Sequence, residues 1–199
     1  MNNSVQKQLQ LVAATANPHK LQEISVILGS AVKLLARPND LGEIIEDGPT
    51  LEANARLKAT AVCEHTGWPA VADDTGLEVA ALGGAPGVHS ARYGGSQGDD
   101  AANCRLLLAN LQGVTDRSAR FRTVAVVAFS DGVVVQAEGV VCGSITELPK
   151  GDKGFGYDSL FVPDGADGRT FAEMSAQEKN LLSHRGKAFR TLAYELSLY

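Results

Sequence analysis

The stretch LQLVAATANPHKLQEISVILGSAVKLLA, Leu9 to Ala36, decides the fold class. LQLVAA is apolar enough for a buried strand, and AVKLLA is a second. Between them Leu21, Ile24, Ile27 and Leu28 recur at helical spacing. Asn17 is placed to cap that helix, with Pro18 at its first position, where a missing N–H costs nothing. Gly29 stops it. A β–loop–α–β opening implies an α/β protein, with a right-handed crossover if the two strands are parallel.

Outward from there, the pattern alternates. A second helix is expected from Leu51 to His65, with Leu51, Ala55, Ala59, Val62 and Cys63 on its apolar side and Gly67 as C-terminal cap. PAVA then reads as a short strand, DDTG as a turn, and LEVAAL as the next strand. The segment from Gly83 to Gly98 is glycine-rich and long for a connection, which favours a functional loop. A third helix spans about Asp99 to Leu111. FRTVAVVAFSDGVVVQAEGVVCG reads as a hairpin, with Asp131-Gly132 suiting a type I′ turn. Ser175 and Glu178 form a capping box for a helix through Lys179, and a last helix follows His184-Arg185-Gly186. No repeat or linker is visible, so residues 1–199 read as one domain.

Composition narrows function. A 44% apolar and 21% charged chain is an ordinary globular one. Its net charge of −5 disfavours nucleic acid or an anionic membrane as partner. No apolar run nears the roughly 20 residues of a membrane span, and MNNSVQKQLQ lacks the apolar centre of a leader. Cys63, Cys104 and Cys142 form no CxxC pair, so buried reduced thiols in a cytoplasmic protein are expected.

Several residue groups carry chemistry. A strand-to-helix loop such as Thr15–Lys20 (TANPHK) can present backbone N–H groups to phosphate, with Lys20 adding charge. Taken alone it is more simply a helix cap, and no P-loop pattern is present. Glu46 and Asp47 precede a Gly-Pro turn, and Asp73-Asp74 stand together. Acids on two loops suit Mg²⁺, which takes oxygen ligands and shares its site with phosphates. Adjacent like charges also cost stability unless a cation offsets them. Asn54 and Lys58 share a helix face. Arg92, Lys153, Lys179 and Arg185 border glycine-rich segments. Gly154 and Gly156 flank Phe155, whose ring could meet a base or the core. His184-Arg185 could donate to a carbonyl oxygen or simply start a helix.

TANPHK, EDGPTLEANARLKA, VADDTGLEVAALGGAPGVHSARY, GFGYDSLF and QEKNLLSHRGKAF follow one another as in the inosine triphosphate pyrophosphatase family, the Ham1-like purine NTP pyrophosphatases. The chain resembles that family over about residues 11 to 195, although Ala16 stands where many members carry glycine. The resemblance implies a long, mixed, twisted sheet with helices, two lobes flanking a central cleft, and a homodimer. It implies Mg²⁺-dependent hydrolysis of ITP, dITP and XTP to monophosphate and pyrophosphate, which cleanses the nucleotide pool. It makes Thr15, Ala16, Asn17, Pro18, His19 and Lys20 a triphosphate loop and Glu46 a metal ligand. Asp74 becomes general base and metal ligand, with Asp73 beside it, and Thr75 a substrate contact. Phe155, Gly156, Tyr157, Asp158, Lys179, His184 and Arg185 become the nucleoside pocket. Asn54, Lys58, Arg92 and Lys153 complete the expected phosphate contacts. The alternatives are a non-catalytic purine nucleotide sensor and a phosphotransferase, which would release the γ-phosphate.

Overall fold

The computed structural model describes residues 8–29, 32–96 and 98–197. The leader reading of the N-terminus falls, up to residue 7, outside them, as does Ala31 at the start of the expected second strand. The opening unit is as the sequence requires: β1 (Leu9–Ala13), α1 (Pro18–Leu28) and β2 (Val32–Leu35), with β1 and β2 parallel. Asn17 caps α1, its Oδ1 accepting from the His19 and Lys20 amides at 2.9 and 3.2 Å. The second helix, α2 (Leu51–Thr66), starts at a Thr50 cap and ends at Gly67 in the left-handed region.

The next strand departs from expectation. PAVA and LEVAAL are not two strands joined by a DDTG turn. β3 (Ala70–Val79) runs unbroken for 10 residues through both acids. The strand Ser118–Ala128 pairs with it along its whole length, and Gly76 lets a second backbone approach: a Cβ there would lie 2.7 Å from the Gly87 carbonyl oxygen. Gly87 belongs to β4 (Pro86–Gly87), which pairs with the far end of β3. The chain continues as α3 (Asp100–Asn110), β5 (Ser118–Ala128), β6 (Val134–Ile145), β7 (Phe161–Pro163), α4 (Ala176–Leu182) and α5 (His184–Leu196). The seven-stranded mixed sheet has the order β2-β1-β3-β5-β6-β7, with β4 on β3.

The β5–β6 hairpin forms with a different turn from the expected one. A type I′ turn needs positive φ at both central residues. Only Gly132 has it (φ 88°), and its amide bonds the Phe129 carbonyl. A five-residue connection relaxes the demand on Asp131. The thiols also differ. Cys63 is buried, Cys104 half-buried, and Cys142 exposed on the outward-facing register of β6.

Strand pleating sorts β3 onto two faces. Val71 joins Ala125, Val127, Phe189 and Leu192 under α1 and α5. Ala70 and Ala72 join Val124, Val126, Ala55, Ala59 and Val62 under α2. β1 pairs with β3 only at Ala70 and Val71, and β4 only at Leu77 and Glu78. Between these partners one edge of β3 is open, and the cleft lies there.

Candidate active site

The cleft has a volume of about 740 Å³, a size suited to a small molecule. It is lined by Thr15, Ala16, Asn17, Lys20, Glu46, Lys58, Asp73, Asp74, Thr75, Arg92, Phe155, Gly156, Tyr157, Asp158, Lys179, His184 and Arg185. The fold therefore brings together most of the residues singled out in the sequence, from elements far apart in the chain.

Asp73 and Asp74 are neighbours in sequence and point to opposite faces of β3. On the α5 face, Asp73 Oδ2 meets Lys20 Nζ at 3.2 Å and Arg185 Nη2 at 3.1 Å, and accepts from Thr75 Oγ1. Burial would raise its pKa, but Lys20 and Arg185 outweigh burial and hold Asp73 far below the usual carboxylate range. On the α2 face, Asp74 Oδ1 accepts from Lys58 Nζ at 3.3 Å. The same ammonium donates to Glu46 Oε2 at 2.8 Å. Asp74 Oδ2 is buried without a partner. Here burial wins over Lys58, and the Asp74 carboxyl is pushed up. Lys58 itself, though buried, is held charged by Asp74 and Glu46.

The two adjacent carboxylates are offset by protein cations, Lys20 and Arg185 for Asp73 and Lys58 for Asp74. Asp73, expected beside Glu46 and Asp74 as a third oxygen ligand, faces away from them. A pleated strand cannot put successive side chains on one side.

The Thr15–Lys20 loop is less open to anions than its sequence suggests. Asn17 occupies the His19 and Lys20 amides, and Thr15 Oγ1 accepts from the Asn17 amide at 3.1 Å. Pro18 has no N–H. Among the described residues, the Thr15 and Ala16 amides carry no protein partner.

At the other end stand α5 and the Gly151–Tyr157 loop. Asp158 organises this loop, accepting from the Phe155 amide at 2.9 Å and from Lys179 Nζ at 2.6 Å. A Cβ on Gly154 would lie 2.1 Å from Asp158 Oδ2. Tyr157 donates its hydroxyl to the Ser90 carbonyl, and Gly156 donates its amide to Asp100. The Phe155 ring is not bare. His19 stacks on it at 5.5 Å, with Lys179 Nζ 4.7 Å from its centroid. Arg185 is fully buried, and its guanidinium donates to Asp73, Glu23 and Thr75. His184 is buried edge-on to Phe121, and neither ring nitrogen has a partner. Burial and the nearby Arg185 push its pKa well down, so the imidazole is neutral.

Pro18, His19, Asn54 and Lys153 do not line this cleft. His19 and Lys153 border a neighbouring cavity behind Phe155. Asn54 accepts from the Gly48 amide at 2.8 Å and so braces the turn after Glu46 and Asp47. Two contributors belong to none of the sequence motifs. Glu23 accepts from Lys179 Nζ at 2.8 Å and from Arg185 Nη1 at 2.6 Å. Its spacing of three from Lys20 was the available signal, since both then share one face of α1. Arg37, two residues after β2, also lines the cleft.

The fold and cleft define an α/β protein with a charged cleft beside the carboxyl ends of its parallel strands. The chain matches the Ham1 family over residues 11–195, and it belongs to that family. It is 50% identical over 188 residues to a dITP/XTP pyrophosphatase of Syntrophobacter fumaroxidans, covering 93% of this chain and 81% of that one. A Streptomyces avermitilis protein of the same name is 47% identical, covering 92% and 94%. Among solved structures, a HAM1 protein from Coxiella burnetii superposes with a TM-score of 0.87 at 38% identity, covering 96% of this chain and all of that one. The Staphylococcus aureus Ham1 protein gives 0.85 at 35%, covering 94% and 98%.

Proposed function

We propose that this protein hydrolyses deaminated purine nucleoside triphosphates, ITP, dITP and XTP, to the monophosphate and pyrophosphate, with Mg²⁺, as a cytoplasmic homodimer that cleanses the nucleotide pool. The carrying observation is Asp74. Its buried, unpartnered Oδ2 and raised pKa suit a general base, and it opens onto a cleft that also holds Lys20 and Lys58. Asp74 takes the proton of the attacking water. The water oxygen bonds to the α-phosphorus, the bond from that phosphorus to the bridging oxygen breaks, and pyrophosphate leaves with the electron pair. Lys20 and Lys58 offset its charge.

Mg²⁺ fits the donor set. Glu46 and Asp74 supply hard oxygens, and Asp74 Oδ2 is unclaimed. The cleft is lined by six cationic and seven carboxylate side chains, a poor balance for a polyanion without added positive charge. No cluster of three ligating side chains occurs among the described residues, but Mg²⁺ commonly takes one or two carboxylates plus substrate phosphates. When bound it would supply charge neutralisation and Lewis acidity.

At the base end, neutral His184 offers one N–H and one lone pair. An N–H directed at a 6-oxo oxygen accepts hypoxanthine and xanthine. Adenine leaves it facing an amino group, and a polar group left unpaired discriminates by roughly 10⁴-fold. A product assay with Mg²⁺ over ITP, dITP, XTP, GTP and ATP tests the reading. Monophosphate and pyrophosphate from the first three are expected. A diphosphate product, or binding without turnover, would overturn it.

A further inference from the structure

Of the six cations that reach the cleft, four are matched by carboxylates. Lys20 pairs with Asp73, Lys58 with Glu46 and Asp74, Lys179 with Glu23 and Asp158, and Arg185 with Asp73 and Glu23. Arg92 bonds the Glu46 carbonyl, and Arg37 bonds the carbonyls of Leu41 and Gly42 through Nη2. Neither has a carboxylate partner among the described residues. Arg92 sits in a motif already discussed. Arg37 belongs to none.

Its position is informative. β1 and β2 are parallel with Val12 opposite Leu35, so Arg37 emerges beside the Ala14–Thr15 backbone at the carboxyl ends of both strands. The order β2-β1-β3 and the registers place it level with Ala72, two strand spacings, about 10 Å, across the sheet from β3 and two residues short of Asp74. His184 and Arg185 lie in the opposite direction, on α5, which packs over β5 and β6. A nucleotide with its base toward His184 and its α-phosphorus at Asp74 therefore extends its outer phosphates toward Arg37. The two loop carbonyls fix the guanidinium and leave its charge intact. Arg37 Nε is buried without a partner, and a buried donor left unmade is costly unless a ligand meets it. Arginine offers further N–H groups in a fork matched to phosphate.

We propose that Arg37 binds the terminal phosphate of the triphosphate, and hence the departing pyrophosphate. This rests on the reading of the cleft as a nucleoside triphosphate site. Arg37→Gln and Arg37→Lys are compared with the unaltered enzyme by calorimetric titration with pyrophosphate and with IMP, and by kinetics on ITP. Arg37→Gln should weaken pyrophosphate binding and raise KM for ITP by about tenfold or more. IMP affinity should stay unchanged and kcat should fall less than KM rises. Arg37→Lys should regain part of the pyrophosphate affinity, because a point charge still serves a phosphate oxygen. If Arg37→Gln loses its thermal transition, Arg37→Lys carries the same comparison with a smaller loss. Equal weakening of IMP and pyrophosphate, or a fall in kcat at constant KM, would make Arg37 a brace for the Leu41–Asp47 loop and overturn the proposal. If the unaltered enzyme neither bound nor cleaved a triphosphate, the parent reading would fall and this one with it. A pyrophosphate effect absent in an active enzyme overturns this one alone.

Discussion

The two faces of β3 give one residue type two chemistries. Asp73 is enclosed by α1 and α5, is met by two cations, and stays ionised under all ordinary conditions. Asp74, one residue on, is met by one lysine and has a raised pKa, while each acid keeps one oxygen without a partner. Two cations outweigh burial at Asp73, whereas one lysine does not at Asp74, and that difference suits the base role proposed for Asp74. The strand's pleat alone separates the roles.

The largest test of this contrast is Asp74→Asn. Turnover of ITP should fall by about 10²–10⁴-fold, with loss of metal affinity adding to it, while the melting temperature changes little. Near-normal kcat at saturating Mg²⁺ would remove Asp74 from the mechanism.

Asp73→Asn should do the reverse and act first on stability. It strands Lys20 and leaves the buried Arg185 with Glu23 alone, at about 3–5 kcal/mol. At this chain length that corresponds to a melting temperature lower by roughly 6–20 °C. The sign with pH is fixed. A depressed folded-state pKa gives stability that is full above the unfolded value near 4 and is lost as pH falls through the folded one. The variant should therefore lose less stability than the parent on acidification below pH 4. An unshifted melting curve would mean that Asp73 is no anchor.

The smallest effect concerns His184, on the enclosed side. Buried and neutral when folded, it charges on unfolding. Stability should fall with pH below about 6.5, by up to roughly 1.4 kcal/mol per pH unit from this group. Denaturant unfolding of the parent and of His184→Gln between pH 7 and pH 5 should show a shallower slope for the variant. Equal slopes would mean that His184 titrates as an exposed histidine.

Local chemistry was legible in the chain. Asn17 capping α1, Gly67 ending α2, and the Ser175–Glu178 capping box each involve residues within a turn of one another. The motif order was equally readable, and most of its residues meet in one cleft. The failures are non-local. DDTG looks like a turn because Asp and Gly are turn residues, yet β5 pairs with β3 along all ten positions and holds it straight. Glu23 stands out in no local pattern because its partners Lys179 and Arg185 lie far along the chain.

By itself, then, the sequence determined the helices, several of their caps and the family, because these depend on spacing and on neighbours within a few residues. The tertiary structure decided which face each acid takes and which cation meets it. It also decided that β1 stops short and leaves an edge of β3 open as a cleft. Those outcomes depend on strand registers such as Val12 opposite Ala70 and Ala70 opposite Ala128, and on side-chain bonds such as Arg185 to Asp73, 112 residues apart, and no local pattern carries that information.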